Sequence, residues 1–279
     1  MSTQDFLHSA WNWTPALLLA VALTGAYLAA LRFKLSVRSL YFFSGVALMV
    51  LALASPLNAL AEGYLFSAHM LQHMLLLMVV PLLFLLGMPP QTRVPSSTGF
   101  AHKSALYPAL NWLAGIGTMW FWHVPMFCNA AVSNPLVRGA QIASLLVMGT
   151  LFWTPIIGSK LGQRLSPWSG IAYLFSACMG CVLLGIGLTF APVNVCSTFI
   201  DPVDKLGILS TIRGQWGMSP RLDQQIGGLI MWVPSCLVYL VGILGLLGRG
   251  FSQQVLETVD SQPLSAGKQL PLAAHSKTK

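Results

Sequence analysis

The chain has 279 residues, 55% of them hydrophobic and only 8% charged, with a mean hydropathy of +0.70. A soluble domain carries about 25% charged residues, so this composition excludes one and specifies a polytopic membrane protein. The net charge of +8 does not point to nucleic acid, because the bases sit in short loops between apolar runs, where they set membrane topology.

Seven apolar segments reach span length, at roughly 14–31, 40–57, 65–88, 105–124, 136–157, 169–191 and 226–248. The breaks between them hold Ser55-Pro56, Pro89-Pro90, Asn134-Pro135, Ser166-Pro167 and Ser219-Pro220. The expected fold is therefore all-α, a polytopic membrane bundle of seven transmembrane helices over 1–248. The polar stretch 249–279 reads as a disordered cytoplasmic tail. No second domain fits beside the bundle, and no internal repeat is visible. The N-terminus lacks a basic n-region and an A-x-A-like cleavage site, so the first span is expected to stay in the protein.

Lys and Arg sort by side. Arg32, Lys34, Arg38, Arg93, Lys103, Lys160, Arg164, Arg249, Lys268, Lys277 and Lys279 fall on one side; Arg138, Lys205, Arg213 and Arg221 fall on the other. The positive-inside rule then puts the N-terminus outside and the C-terminus in the cytoplasm, as an odd span count requires. On that orientation His8, His69, His73 and His123 gather at the outer face, and His102 and His275 lie inside. The 192–225 loop is the longest outer segment, able to cap the bundle mouth. Trp11 and Trp13 read as an interfacial anchor.

The third segment, Leu65 to Met88, organises the rest. It has no charged residue, yet its first third reads AHMLQHM. His69 and His73 are four apart and share one helix face; Met70, Met74 and Met78 repeat that spacing on an adjoining stripe. The fourth segment ends in MWFWHVPM, bringing His123 to the outer surface with Met119 and Met126 beside it. Polar side chains at membrane depth are costly and usually functional. The bland alternative for the histidines is interhelical hydrogen bonding, worth about 1 kcal/mol or less. Imidazole with thioether suits Cu(I), and the scarcity of carboxylates disfavours Mg²⁺ or Ca²⁺. The ligands alone leave zinc open, and each single methionine can equally be core filler.

Other candidates carry less. Cys178-Met-Gly-Cys181 lies mid-span and reads as a metal relay or as plain buried cysteines. Cys128 and Cys196 lie near the outer surface, where oxidation can pair them. Asp223 opens the seventh span, where a carboxylate caps the first turn and meets the helix dipole. Gly227 and Gly228 permit close packing, and Pro234 predicts a kink. A retinal protein needs a lysine in the last span, and 226–248 has none. No P-loop, nucleophile elbow or H-E-x-x-H motif occurs.

The segments SPLNALAEGYLFSAHMLQHMLLLMVVPLLFLLGMP, WFWHVP, LFWTPIIG and LDQQIGGLIMWVP resemble the CtaG-type cytochrome c oxidase assembly membrane proteins, in order, over about 55–240. The resemblance implies a multi-pass protein of the bacterial inner membrane, not an enzyme, that helps a haem–copper oxidase mature by binding or supplying copper. Its implied partners are the lipid bilayer, cytochrome c oxidase subunits and periplasmic copper chaperones. By position it carries across His69, Met70, His73, Met74, His123 and Asp223 as the metal set. One departure concerns segment five, where many members of that family have an early histidine and this chain reads RGAQIASLLVMG, with Gln141 or Ser144 in that region, which argues against a ligand set that uses that helix. Cys178 and Cys181 lie outside the family pattern. Two alternatives use the same ligands: a haem-binding membrane redox protein and a copper importer.

Overall fold

The computed structural model describes residues 2–32, 35–88, 106–158, 164–192 and 195–260. The loops bearing Arg93, His102, Lys103 and Lys160, and the tail with His275, lie outside them. Helices in chain order are α1 (Thr3–Ser9), α2 (Trp13–Ala30), α3 (Ser39–Ala54), α4 (Pro56–Ala61), α5 (Phe66–Gly87), α6 (106–122), α7 (Pro125–Ser133), α8 (Pro135–Ile157), α9 (Pro167–Phe190) and α10 (Pro220–Asp260). Strands are absent among the described residues. Five helices, α2, α5, α8, α9 and α10, are long and apolar enough to cross a bilayer, and α3 is a shorter apolar helix. The seven expected segments thus recur as helices, of which five have full spanning length. The sixth and seventh of the set, α3 and α6, are 16 residues and 17 residues long.

α5 lies at the centre, with more of its span buried than in any other of the five. Pro81 has no N–H to offer the carbonyl one turn back, and the helix widens to a π turn over Leu75–Val79. α8 packs there through Gly149, where any Cβ would collide with the Leu77 carbonyl. α10 packs on the other side through Gly227, where a Cβ would run into Phe66 and Met70. These two close approaches fix the central helix between α8 and α10.

α10 differs from expectation at both ends. It begins at Pro220 and continues to Asp260, so residues 249–260, expected in a disordered tail, are helical. No proline intervenes before Pro263, and nothing in the sequence stops the helix at 248.

The 195–219 segment does form a cap. Phe6 of α1, Ala61, Tyr64, Leu65, Ile208 and Ile212 build a small apolar cluster over one end of the bundle. The Tyr64 hydroxyl donates to Asp204 Oδ1 (3.2 Å) and accepts from the Leu206 amide (2.8 Å). Burial pushes the Tyr64 phenol above its usual pKa, keeping that donor protonated. Arg213 holds the Phe199 carbonyl (3.0 Å). A disulfide between Cys128 and Cys196 ties the cap to α7, and Asn129 Oδ1 accepts from the amide and hydroxyl of Thr198.

Candidate metal centre

The start of α5 needs an outside partner. Leu65 at its N-cap offers no side-chain acceptor, so its first amides would be orphaned in a buried site. Asp223 of α10 supplies the acceptor. Its Oδ2 takes the Phe66 amide (2.7 Å), and its Oδ1 takes the Ser67 amide (3.0 Å) and hydroxyl (2.6 Å). The fully buried carboxylate meets the positive end of the α5 dipole. Asp223, expected among the metal ligands, thus sits as the cap of a neighbouring helix.

One turn on, His69 Nδ1 lies 3.1 Å from the Ala61 carbonyl. A carbonyl only accepts, so Nδ1 carries the proton and Nε2 keeps its lone pair. Nε2 has no hydrogen-bond partner and is buried. His123 repeats the arrangement from the end of α6. Its Nδ1 donates to the Met119 carbonyl (2.6 Å), and its Nε2 lone pair points at Met70 Sδ, 3.0 Å away. The Val124-Pro125 break places this residue, because α6 stops at Trp122 and α7 restarts at Pro125.

His73 stands between them. Its ring centroid is 4.3 Å from that of His69 and 5.6 Å from that of His123. Two imidazoles sharing a metal at about 2 Å per Zn–N-type bond put their centroids about 5 Å apart. Neither His73 nitrogen nor Nε2 of Gln141 has a partner at ordinary hydrogen-bond geometry, and α8 sets the Gln141 amide within polar reach of His73. Buried imidazole nitrogens are normally satisfied; here three rings cluster, and His123 Nε2 and Met70 Sδ turn unshared pairs toward each other. Among the described residues no three His, Cys, Asp or Glu side chains are close enough to hold an ion unaided. The fit therefore depends on Met70 as a donor. The set is uncharged and soft, which matches a monovalent Cu(I) and mismatches hard divalent ions.

The structure brings together His69, His73, His123 and Met70. Met74 lies one turn deeper, its Sδ 3.0 Å from Ser235 Oγ. Met126 is exposed. Ser144 accepts the Trp122 indole N–H (2.9 Å); Gln141, one turn earlier on α8, is the residue that lies beside His73. Phe199 of the cap covers His69, ring centroids 5.6 Å apart, so the site is sealed on that side.

Sequence reasoning missed a polar brace behind the histidines. Arg138 is a buried residue of α8, not a loop charge. Its Nη2 donates to Gln72 Oε1 (2.7 Å) and Asn58 Oδ1 (3.1 Å), while its Nε lies 3.5 Å from Glu62 Oε1. Gln72 in turn donates to Asn58 and to the Ala52 carbonyl. The signal was present, since Asn58, Gln72 and Arg138 are polar residues within or beside apolar runs. The Cys178 and Cys181 pair splits: Cys178 faces Cys236 of α10, whereas Cys181 faces Met119 and Tyr239.

The cytochrome c oxidase caa3 assembly factor family (Caa3_CtaG) matches residues 12–253. Proteins described as uncharacterized in Mycobacterium bovis and Mycobacterium tuberculosis are each 28% identical over 230 residues, covering 75% of this chain and 33% of theirs. One from Mycobacterium leprae is 25% identical over 238 residues, covering 76% of this chain and 34% of its own. The chain spans about a third of the length of these relatives. No solved structure matches it. The family match runs from the start of α2 almost to the end of α10 and takes in every residue of the histidine cluster, so this chain belongs to the cytochrome c oxidase caa3 assembly factor family.

Proposed function

We propose that this protein binds Cu(I) between α5 and α6 and serves the maturation of a haem–copper cytochrome c oxidase in a bacterial inner membrane, without catalysing a reaction itself. The observation that carries the reading is the cluster of His69, His73 and His123 rings, with unpartnered buried nitrogens on His69 and His73 and Met70 Sδ 3.0 Å from His123 Nε2. In this reading α3 and α6 cross the membrane with the five longer helices, the N-terminus and cap face the periplasm, and α10 ends in the cytoplasm. The Cys128–Cys196 disulfide on the cap supports that orientation, because disulfides persist in oxidising compartments. Partners would be the copper-receiving oxidase subunits and periplasmic copper chaperones.

A haem reading is less well supported. His73 and His123 are in edge-to-face contact, which leaves no slot between them for a planar macrocycle. The test is Cu(I) competition against a calibrated chelator, with wild type and His73→Ala purified in detergent, beside oxidase activity of cells carrying each. Tight binding lost with His73, together with lost oxidase activity and normal accumulation of the variant, supports the reading. Equal binding by both proteins would remove His73 from the site.

A further inference from the structure

One helical turn below the histidines, the same two helices repeat their pairing with sulfur. Met74 follows Met70 by four residues on α5, and Met119 precedes His123 by four on α6, a step of about 6 Å along each axis. Between them lies a cavity of ≈ 10 Å³, room for about one water-sized atom. Met74, Met78 and Met119 line it, with Cys181 of α9 and Ser235 and Tyr239 of α10. Cys181 Sγ is 3.8 Å from Met119 Sδ and 3.6 Å from the Tyr239 hydroxyl. Cys181, Met119 and Met74 are all buried.

We infer that this cavity is a second Cu(I) position, held by the Cys181 thiolate with the Met119 and Met74 thioethers. Charge balance selects the ion. Loading replaces the Cys181 proton with Cu(I): the S–H bond breaks, a Cu–S bond forms, and the proton leaves to solvent. One monovalent cation for one proton leaves the cavity neutral, whereas a divalent ion would strand a positive charge at membrane depth. Thioethers add soft donors without charge. The two positions share helices and lie one turn apart, so copper entering at the histidines has a softer donor set immediately below. This inference rests on the copper reading of the histidine cluster for the identity of the metal, and its geometry is independent of that cluster.

The test loads the purified full chain with Cu(I) without oxygen and measures bound copper and its ligand shell by X-ray absorption. Wild type should hold two ions with a mixed nitrogen–sulfur shell. Cys181→Ala should hold one, with nitrogen dominant; its intact histidine site doubles as the folding control. His73→Ala joined to His123→Ala should also hold one, with a sulfur-only shell. Cys178→Ser joined to Cys236→Ser should keep both ions, showing that loss follows Cys181 rather than any thiol. Unchanged copper and sulfur content in Cys181→Ala would overturn the inference. Unchanged copper in the double histidine variant would instead overturn the outer site and leave the sulfur site standing.

Discussion

Met70 Sδ and His123 Nε2 face each other at 3.0 Å across the seam between α5 and α6. Because the Met119 carbonyl fixes the His123 proton on Nδ1, both atoms present electron pairs. A bound cation would turn that opposition into attraction. Removing the nitrogen should therefore cost more than removing the sulfur, since a neutral thioether is the weaker of the two donors. His123→Ala should weaken Cu(I) binding by more than ~100-fold, exceeding typical losses at outer-sphere residues. Met70→Leu should cost only about tenfold, or ~1.4 kcal/mol. Chelator titrations measure both, and the reverse order would place the metal away from His123.

Asp223 separates a ligand from a cap. Its oxygens accept from the Phe66 and Ser67 backbone and from the Ser67 hydroxyl. Asp223→Asn keeps one acceptor, loses the charge at the α5 N-terminus and sets an amide donor against a backbone N–H. The expected loss is about 2 kcal/mol of stability, the scale of a hydrogen bond to a charged group. Thermal unfolding in detergent measures it. Copper affinity of the protein that remains folded should change less than for His123→Ala; an equal loss would make Asp223 a ligand after all.

The brace behind the histidines predicts a larger structural effect. Arg138 is buried and bound to Gln72, Asn58 and Glu62. Glu62→Ala removes the carboxylate that faces this guanidinium, and Arg138→Met removes the guanidinium itself, leaving Gln72 Oε1 short of a donor. Breaking one side of a buried pair costs about 3–5 kcal/mol, but the Glu62 side chain is half exposed, so water softens its loss. Arg138→Met should thus lower the thermal midpoint more than Glu62→Ala. Equal midpoints would mean that Arg138 acts on stability only through Glu62.

The helical architecture and the histidine face were legible because they are local properties. An (i, i+4) spacing fixes that His69 and His73 share a face, and long apolar runs fix the helices. Which side chain meets which across helices was not local. Asp223 reads from sequence as a cap for its own helix, yet it reaches α5, because Gly227 of α10 leaves room for the Phe66 and Met70 side chains of α5. Arg138 reads as a topology-setting base at the mouth of the 136–157 segment, yet it is buried in the first turn of that helix. The cap and its Cys128–Cys196 bond were legible from the length of the outer loop and from two cysteines expected at the outer surface; the Phe199 contact with His69 depends on tertiary placement.

Phe199 and the disulfide suggest how the site is reached. Cys196 lies three residues before Phe199, so the bond to Cys128 restrains the segment that covers His69. Cys196→Ser leaves the Asn129 and Arg213 contacts but removes the covalent tie. Copper uptake, followed by stopped-flow with a chelator as donor, should become about tenfold faster with affinity nearly unchanged, since the ligands are untouched. That split is the mark of a barrier lowered without altering the bound state. Equal uptake rates would mean copper enters by another route.

Gln141 of α8 stands at the histidine site. Its amide is buried beside His73, and Nε2 has no partner at ordinary hydrogen-bond geometry. An imidazole at this position would add a fourth neutral nitrogen from α8 to those of α5 and α6. Gln141→His should therefore raise Cu(I) affinity by about tenfold or more, one added ligand being worth at least ~1.4 kcal/mol. It should also change selectivity. Four nitrogens approach the tetrahedral set that Zn²⁺ favours, so zinc affinity should rise relative to the parent. X-ray absorption should show nitrogen gained relative to sulfur in the copper shell. If affinity, selectivity and shell all stay as in the parent, Gln141 does not face the metal. The ligand set would then be complete without α8.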